Sequence, residues 1–132
     1  MNKICTSIEQ SKKLIELGLD VNTADFMWEY NPDKETYWNK PTIIPIDDYI
    51  FVNDIPAWSL AALIEQLPSD IKGHELTIHK SYWQIEKTFA YELSYEEDFE
   101  DYSPSILVST SSIELIDACV EMIIKLNELN LL

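Results

Sequence analysis

The C-terminal stretch constrains this chain most, because Ile113, Ile116, Cys119, Val120, Ile123 and Leu126 recur at intervals of three and four residues. That spacing collects them on one side of a helix, as a stripe wide enough to be a central packing surface. Ser111 followed by Glu114 has the form of a capping box, so the spacing predicts a helix from there to about Leu129. Such a helix draws most of its stability from a surface to pack on, and the rest of the chain has to provide one.

Alternating patterns provide it. Leu76 and Ile78 alternate with Glu75, Thr77 and His79, and Trp83 and Ile85 alternate with Tyr82, Gln84 and Glu86. With Phe89–Tyr95 these runs predict a three-stranded meander over 75–79, 82–87 and 89–95, turning at Lys80-Ser81. Upstream, Ala24, Phe26, Trp28 and Tyr30 predict a half-buried strand over 23–30; Asn31-Pro32-Asp33 is turn chemistry, and Thr36–Asn39 is a returning strand. Pro41 and Pro45 then interrupt the chain, and the topology of residues 31–54 is left open.

Two more helices are punctuated. Thr6 with Glu9 predicts a capped helix over 7–17, ended by Gly18 with Leu19 folding back on Leu14. After Ile55-Pro56-Ala57, the residues Trp58, Leu60, Ala61, Leu63, Ile64 and Leu67 make a broad apolar face that Pro68 ends, with Pro56 at the first turn, where no N–H is needed. The segment 95–105, acidic and containing Pro104, reads as a surface loop. Because strands follow one another in hairpin fashion, the expected fold class is α+β: one domain over residues 1–132, mainly antiparallel sheet with about three helices packed on it.

Charge narrows the function classes. The net charge is −15, from 24 Asp and Glu against nine Lys, and the chain has no Arg. Without the planar fork that grips phosphate and reads guanine, and with a repulsive field, nucleic acid is excluded as a partner, and an anionic membrane surface is disfavoured. The longest apolar run, Leu60–Ile64, is far too short to span a bilayer, and the N-terminus has no apolar signal core, so the expected location is the cytoplasm. Gly18 and Gly73 are the only glycines, which removes every phosphate-cradling glycine loop and the nucleophile elbow. No cofactor and no metal set are expected.

The remaining constellations are weighed against plain structural roles. Cys119 sits on the apolar stripe and reads as core; Cys5 lies near a helix start, which would favour a thiolate, but nothing else supports catalysis there. His74 and His79 are five apart, so on a strand they face opposite ways and cannot share a metal. Asp47, Asp48 and Asp54 offer carboxylates for acid–base work, with no spacing that singles out a pair. Trp28 and Trp58 read as core rather than as ligand walls. The densest acidic cluster is Glu92, Glu96, Glu97, Asp98, Glu100 and Asp101, and from Thr88 to Ile124 there are nine acids and no Lys. It reads first as a solvated surface, next as a docking patch with Tyr95, Phe99 and Tyr102 as aromatic anchors, and last as a Ca²⁺ site, for which the loop spacing and central Gly are missing.

Cys5-Thr6-Ser7, Glu9-Gln10-Ser11, Leu17-Gly18, Thr23-Ala24-Asp25 and above all Ile55-Pro56-Ala57-Trp58-Ser59-Leu60 resemble a family of small proteins of Bacteroidetes genomes and their prophages and mobile elements. The similarity spans most of the chain. It implies a bacterial accessory protein and carries over no activity, cofactor or catalytic residue. The expectation that follows is a non-enzymatic acidic interaction module of a phage or mobile element, binding a basic host protein through Glu96, Glu97, Asp98, Phe99, Glu100 and Asp101, in its sharpest form as a mimic of a nucleic-acid backbone. The alternative is a small enzyme or ligand-binding domain built from scattered carboxylates, a His and an aromatic wall.

Overall fold

In the computed structural model the chain is a mixed α+β fold, with three α-helices and nine strands among the described residues, every strand pair antiparallel. The structure describes residues 3–44, 53–99 and 102–132, of which 98–99 and 102–104 by backbone alone. It divides into two compact units, Met1–Leu63 and Ile64–Leu132. No helix among the described residues is long and apolar enough to cross a membrane.

The first unit opens with α1 (Ile8–Glu16), one residue later than the spacing predicted. The capping box is Ser7 with Gln10: Gln10 N–H donates to Ser7 Oγ at 3.1 Å and Ser7 N–H to Gln10 Oε1 at 2.9 Å. Thr6 is instead fully buried, so its hydroxyl serves the interior rather than the helix end. The expected stop is present, with Gly18 at φ +96°, its N–H on Ile15 O and the Leu19 N–H on Leu14 O, the paired bonds of a Schellman ending.

A 3₁₀ turn over Val21–Thr23 takes the start of the predicted strand, which shortens to β1 (Phe26–Trp28) and β2 (Tyr30–Asn31). β2 pairs with β3 (Thr36–Tyr37) around the predicted turn, matching Tyr30 with Tyr37, whose rings meet edge-on at 5.4 Å. β4 (Thr42–Ile43) and β5 (Ile55–Ala57) flank β1 on either side. Ile55-Pro56-Ala57 is thus strand and not a first helical turn. Pro56 is tolerated because β5 is an edge strand, where one missing N–H leaves no neighbour unpaired. The helix start falls at Ser59, whose Oγ accepts from Ala62 N–H at 3.2 Å, and α2 (Leu60–Gln66) follows. Cys5, Leu14, Ala57, Trp58 and Leu63 are buried in this unit, and Trp58, fully buried as predicted, donates its indole N–H to Thr23 Oγ1 at 2.9 Å.

The second unit is a four-stranded sheet in the order β6 (Asp70–Ile71), β7 (His74–Trp83), β8 (Thr88–Phe99) and β9 (Tyr102–Ser112), with α3 (Leu115–Glu128) packed on β8 and β9. Two corrections follow. Lys80-Ser81 is not a turn: the first two meander strands are one ten-residue strand, and the chain reverses at 84–87. The predicted loop over 95–105 is mostly strand, since β8 runs to Phe99 and β9 starts at Tyr102. Pro104 lies beside a register shift between the Glu97–Ser105 and Phe99–Tyr102 pairs, in an edge strand, where a residue without an N–H is admitted. Ser111 is likewise strand, so it does not cap α3; the Glu114 N–H is met by Ser112 Oγ at 3.3 Å. Thr110 Oγ1 donates to Ala118 O at 2.8 Å, which ties helix to sheet beside the buried Leu93, Tyr95, Cys119, Met122, Ile123 and Leu126.

Candidate functional site

Side chains alternate between the two faces of a strand, and residues opposite each other in a ladder share a face. Leu93, Tyr95 and Thr110 are on the helix-covered face, and Tyr95 Oη there donates to Pro68 O at 2.7 Å. The other face carries Asp70, Glu75, Thr77, His79, Glu92, Ser94, Glu96, Ser109 and Ser111. Along β6 to β9 no lysine falls on it among the described residues. Lys80 belongs to the opposite face, its ammonium 4.9 Å from the Phe89 ring centroid.

The ladder pairs Asp70 with Glu75 and Glu75 with Glu96, so three carboxylates stand side by side across three strands. Cross-strand neighbours of this kind have β-carbons about 5 Å apart, and like charges placed so are destabilising. Some relief is local. His79 Nε2 lies 3.5 Å from Glu96 Oε2, an ion pair when the imidazole is protonated, and Asp70 Oδ1 accepts the Gly73 N–H at 3.2 Å. The His79–Glu96 contact spans the Thr77–Ser94 pair, which lies between them in the ladder. Ser94 beneath it is fully buried, and its hydroxyl has no hydrogen-bond partner among the described residues. Glu96 is 11% exposed and His79 53%, while Asp70 and Glu75 are exposed.

At the β9 edge, Glu92 joins Ser109 and Ser111 with Glu121 and Lys125 of α3 around a polar cavity of about 390 Å³. Lys125 Nζ donates to Ser109 O at 2.9 Å. No protein-family model, curated protein or solved structure matches the chain.

The predicted cluster is divided by the sheet. Glu96 belongs to the acidic face, and Glu97, its neighbour, to the other, where it lies 3.8 Å from His74 Nε2. Asp98 and Phe99 continue the β8 backbone, and Glu100 and Asp101 lie outside the described residues, as do Asp47 and Asp48. What the sequence reading missed is Asp70, Glu75 and Glu121, brought beside Glu96 and Glu92 by strand register and by α3. Register between strands has no local signal, although the even spacing Glu92, Ser94, Glu96 already places those three on one face.

His74 and His79 stand on opposite faces of β7, as their spacing required. No group of three or more His, Cys, Asp and Glu among the described residues is arranged to hold a metal ion. Both cysteines are free and buried. Burial, aided by Asp25 and opposed by Lys3, pushes the Cys5 thiol up to about 11, and burial alone takes Cys119 to about 12. Neither is a thiolate at neutral pH, so neither has the form that attacks.

Proposed function

We propose that the protein is a non-enzymatic interaction module that presents an acidic sheet face to cationic groups of a basic partner protein. The observation that carries this reading is the Asp70–Glu75–Glu96 row, three carboxylates in direct cross-strand register on a face whose strands bear no lysine among the described residues. A fold that gains nothing from this repulsion retains it at a cost, and incoming Lys or Arg side chains offset that cost. Exposed Asp70 and Glu75 would meet the partner first, with Glu92 and Glu121 extending the field toward the β9 edge. The resemblance to phage and mobile-element proteins fits a host protein as that partner.

The test is affinity capture from a native host lysate at two salt concentrations, with the protein beside its Asp70→Asn, Glu75→Gln, Glu96→Gln variant. The expected result is a basic protein held by the wild type, released by salt and not held by the variant. Identical retention by both proteins, or retention indifferent to salt, contradicts the reading. Among the described residues, the cavities near Glu92, Asn31 and Trp28 have neither His74 nor His79 in their walls and so lend the small-enzyme alternative no support.

A further inference from the structure

We infer that the centre of the acidic face is a site for one lysine side chain of the basic partner, with Ser94 as its floor and Glu92 and Glu96 as its walls. The inference rests on the acidic-face reading and names the group which that face admits. Even spacing along β8 puts the three side chains on one face, with Ser94 between the two acids. Thr77 of β7 and Ser109 of β9 stand opposite Ser94 in the ladder, so its lateral neighbours are small hydroxyl residues.

The observation that points to a ligand is Ser94 itself. Its side chain is fully buried on this face, and its hydroxyl has no partner among the described residues. A buried hydroxyl without a hydrogen bond costs stability, a cost that an alanine in the same place would avoid. Glu92, half-buried beside it, also has no hydrogen bond or ion pair among the described residues. Glu96 has a single contact, His79 Nε2 at 3.5 Å. His79 stands opposite Glu92 in the ladder and reaches past the Thr77–Ser94 pair to Glu96, so its ring covers the floor. That cover is weakly held: 3.5 Å is long for a hydrogen bond, and 53% of the His79 side chain is exposed. Turned outward, the ring leaves Glu92, Ser94 and Glu96 open to a cation.

The three acceptors set the ligand class. An ammonium has three donors and no acceptor, so it can give one hydrogen bond to Ser94 Oγ and one to each carboxylate, while the Ser94 O–H turns to a carboxylate oxygen. Its charge is compact and sits on an unbranched stem, which suits a narrow opening with a buried floor. A guanidinium spreads five donors over a planar fork and suits exposed carboxylates that it can meet side-on. Glu92 and Ser109 also line the polar cavity of about 390 Å³ at the β9 edge, which gives the incoming stem room. Lys125 at that cavity is directed to Ser109 O, at 2.9 Å.

The experiment is a two-dimensional ¹H–¹⁵N NMR titration of the full chain at low salt with an acetylated, amidated Gly-Lys-Gly tripeptide and with its arginine and Nε-acetyl-lysine counterparts. It is repeated on Ser94→Ala and on Glu92→Gln, where a spectrum as dispersed as the wild type's establishes folding. The expected result is saturable shifts centred on the Leu93, Ser94 and Tyr95 amides with the lysine peptide, weaker binding of the arginine peptide and none of the acetylated one. Ser94→Ala keeps every charge, so long-range attraction is unchanged, yet it should bind the lysine peptide about tenfold more weakly, the loss of one hydrogen bond to a charged group. Glu92→Gln should weaken the same peptide and reports on the site if the alanine variant does not fold. Absence of saturable shifts, equal affinity for the lysine and arginine peptides, or undiminished lysine binding by either variant overturns the inference. None of these outcomes overturns the acidic-face reading, which stands or falls on the capture experiment.

Discussion

Replacing Thr6 with Val removes one oxygen from the interior of the first unit and almost no volume. That oxygen accepts the Trp58 N–H at 3.0 Å and lies 2.7 Å from Ser11 Oγ, and Thr6 and Ser11 are both fully buried. The backbone of the same residue is equally engaged, its N–H donating to Trp58 O at 2.9 Å and its carbonyl accepting the Trp28 indole at 3.0 Å. Thr6→Val therefore strands a buried amide and deprives a buried hydroxyl of its partner. Each such loss costs about 1–3 kcal/mol, and Ser11 can recover part of its share by turning to a carbonyl one helical turn back, so about 2–4 kcal/mol is expected. Thr6→Ser keeps the oxygen and deletes one methyl group, at about 1 kcal/mol. Urea unfolding followed by Trp fluorescence separates the two, since at a slope of about 1.5 kcal/mol/M the Val variant loses about 1–3 M in midpoint and the Ser variant less than about 1 M. If Thr6 were a solvent-facing helix cap, as its spacing to Glu9 suggested, Ser would be neutral and Val would cost only about 1 kcal/mol. A Val variant as stable as the Ser variant refutes the buried hub.

Three further outcomes follow from the second unit and the thiols. Ser94→Ala should leave stability unchanged or raise it by about 1 kcal/mol in chemical denaturation, because it removes a buried hydroxyl without a partner among the described residues; a loss of more than about 1 kcal/mol would mean that the hydroxyl is bonded. Lys72 and Gly73 form the two-residue β6–β7 turn at φ 51° and 79°, and Lys72→Asn should raise the thermal midpoint by lowering left-handed strain of about 1 kcal/mol, an unchanged or lower midpoint opposing this. Cys5 and Cys119 hold their protons up to about 11 and 12 in the folded chain and release them near 9 when unfolded, so the unfolded state binds fewer protons above pH 9. Stability present below pH 9 is thus lost as pH rises, by about 1 kcal/mol per thiol at pH 10, and urea midpoints that stay flat from pH 8 to 10 would contradict the assignment.

The sequence alone determined the elements with local causes. The stripe from Ile116 to Leu126 made α3, Gly18 ended α1, Asn31-Pro32-Asp33 turned the first hairpin, and Trp58 and Cys119 were legible as core because periodicity placed them among apolar neighbours. The α+β class followed from the succession of such patterns. Tertiary structure decided what depends on partners distant in sequence. Lys80-Ser81 remains extended because nine consecutive ladder pairs from Glu75–Glu96 to Trp83–Thr88 outweigh a weak local turn signal, and 95–105 becomes strand because β8 and β9 satisfy each other's backbone. Pro56 sits in a strand rather than a helix because the edge of a sheet spares its missing N–H, which residue order cannot reveal. The candidate site divides in the same way: acidity was written in the composition, but only register sets Asp70 and Glu75 beside Glu96, since the pairing of distant segments is fixed by the whole packed chain and not by any short stretch of it.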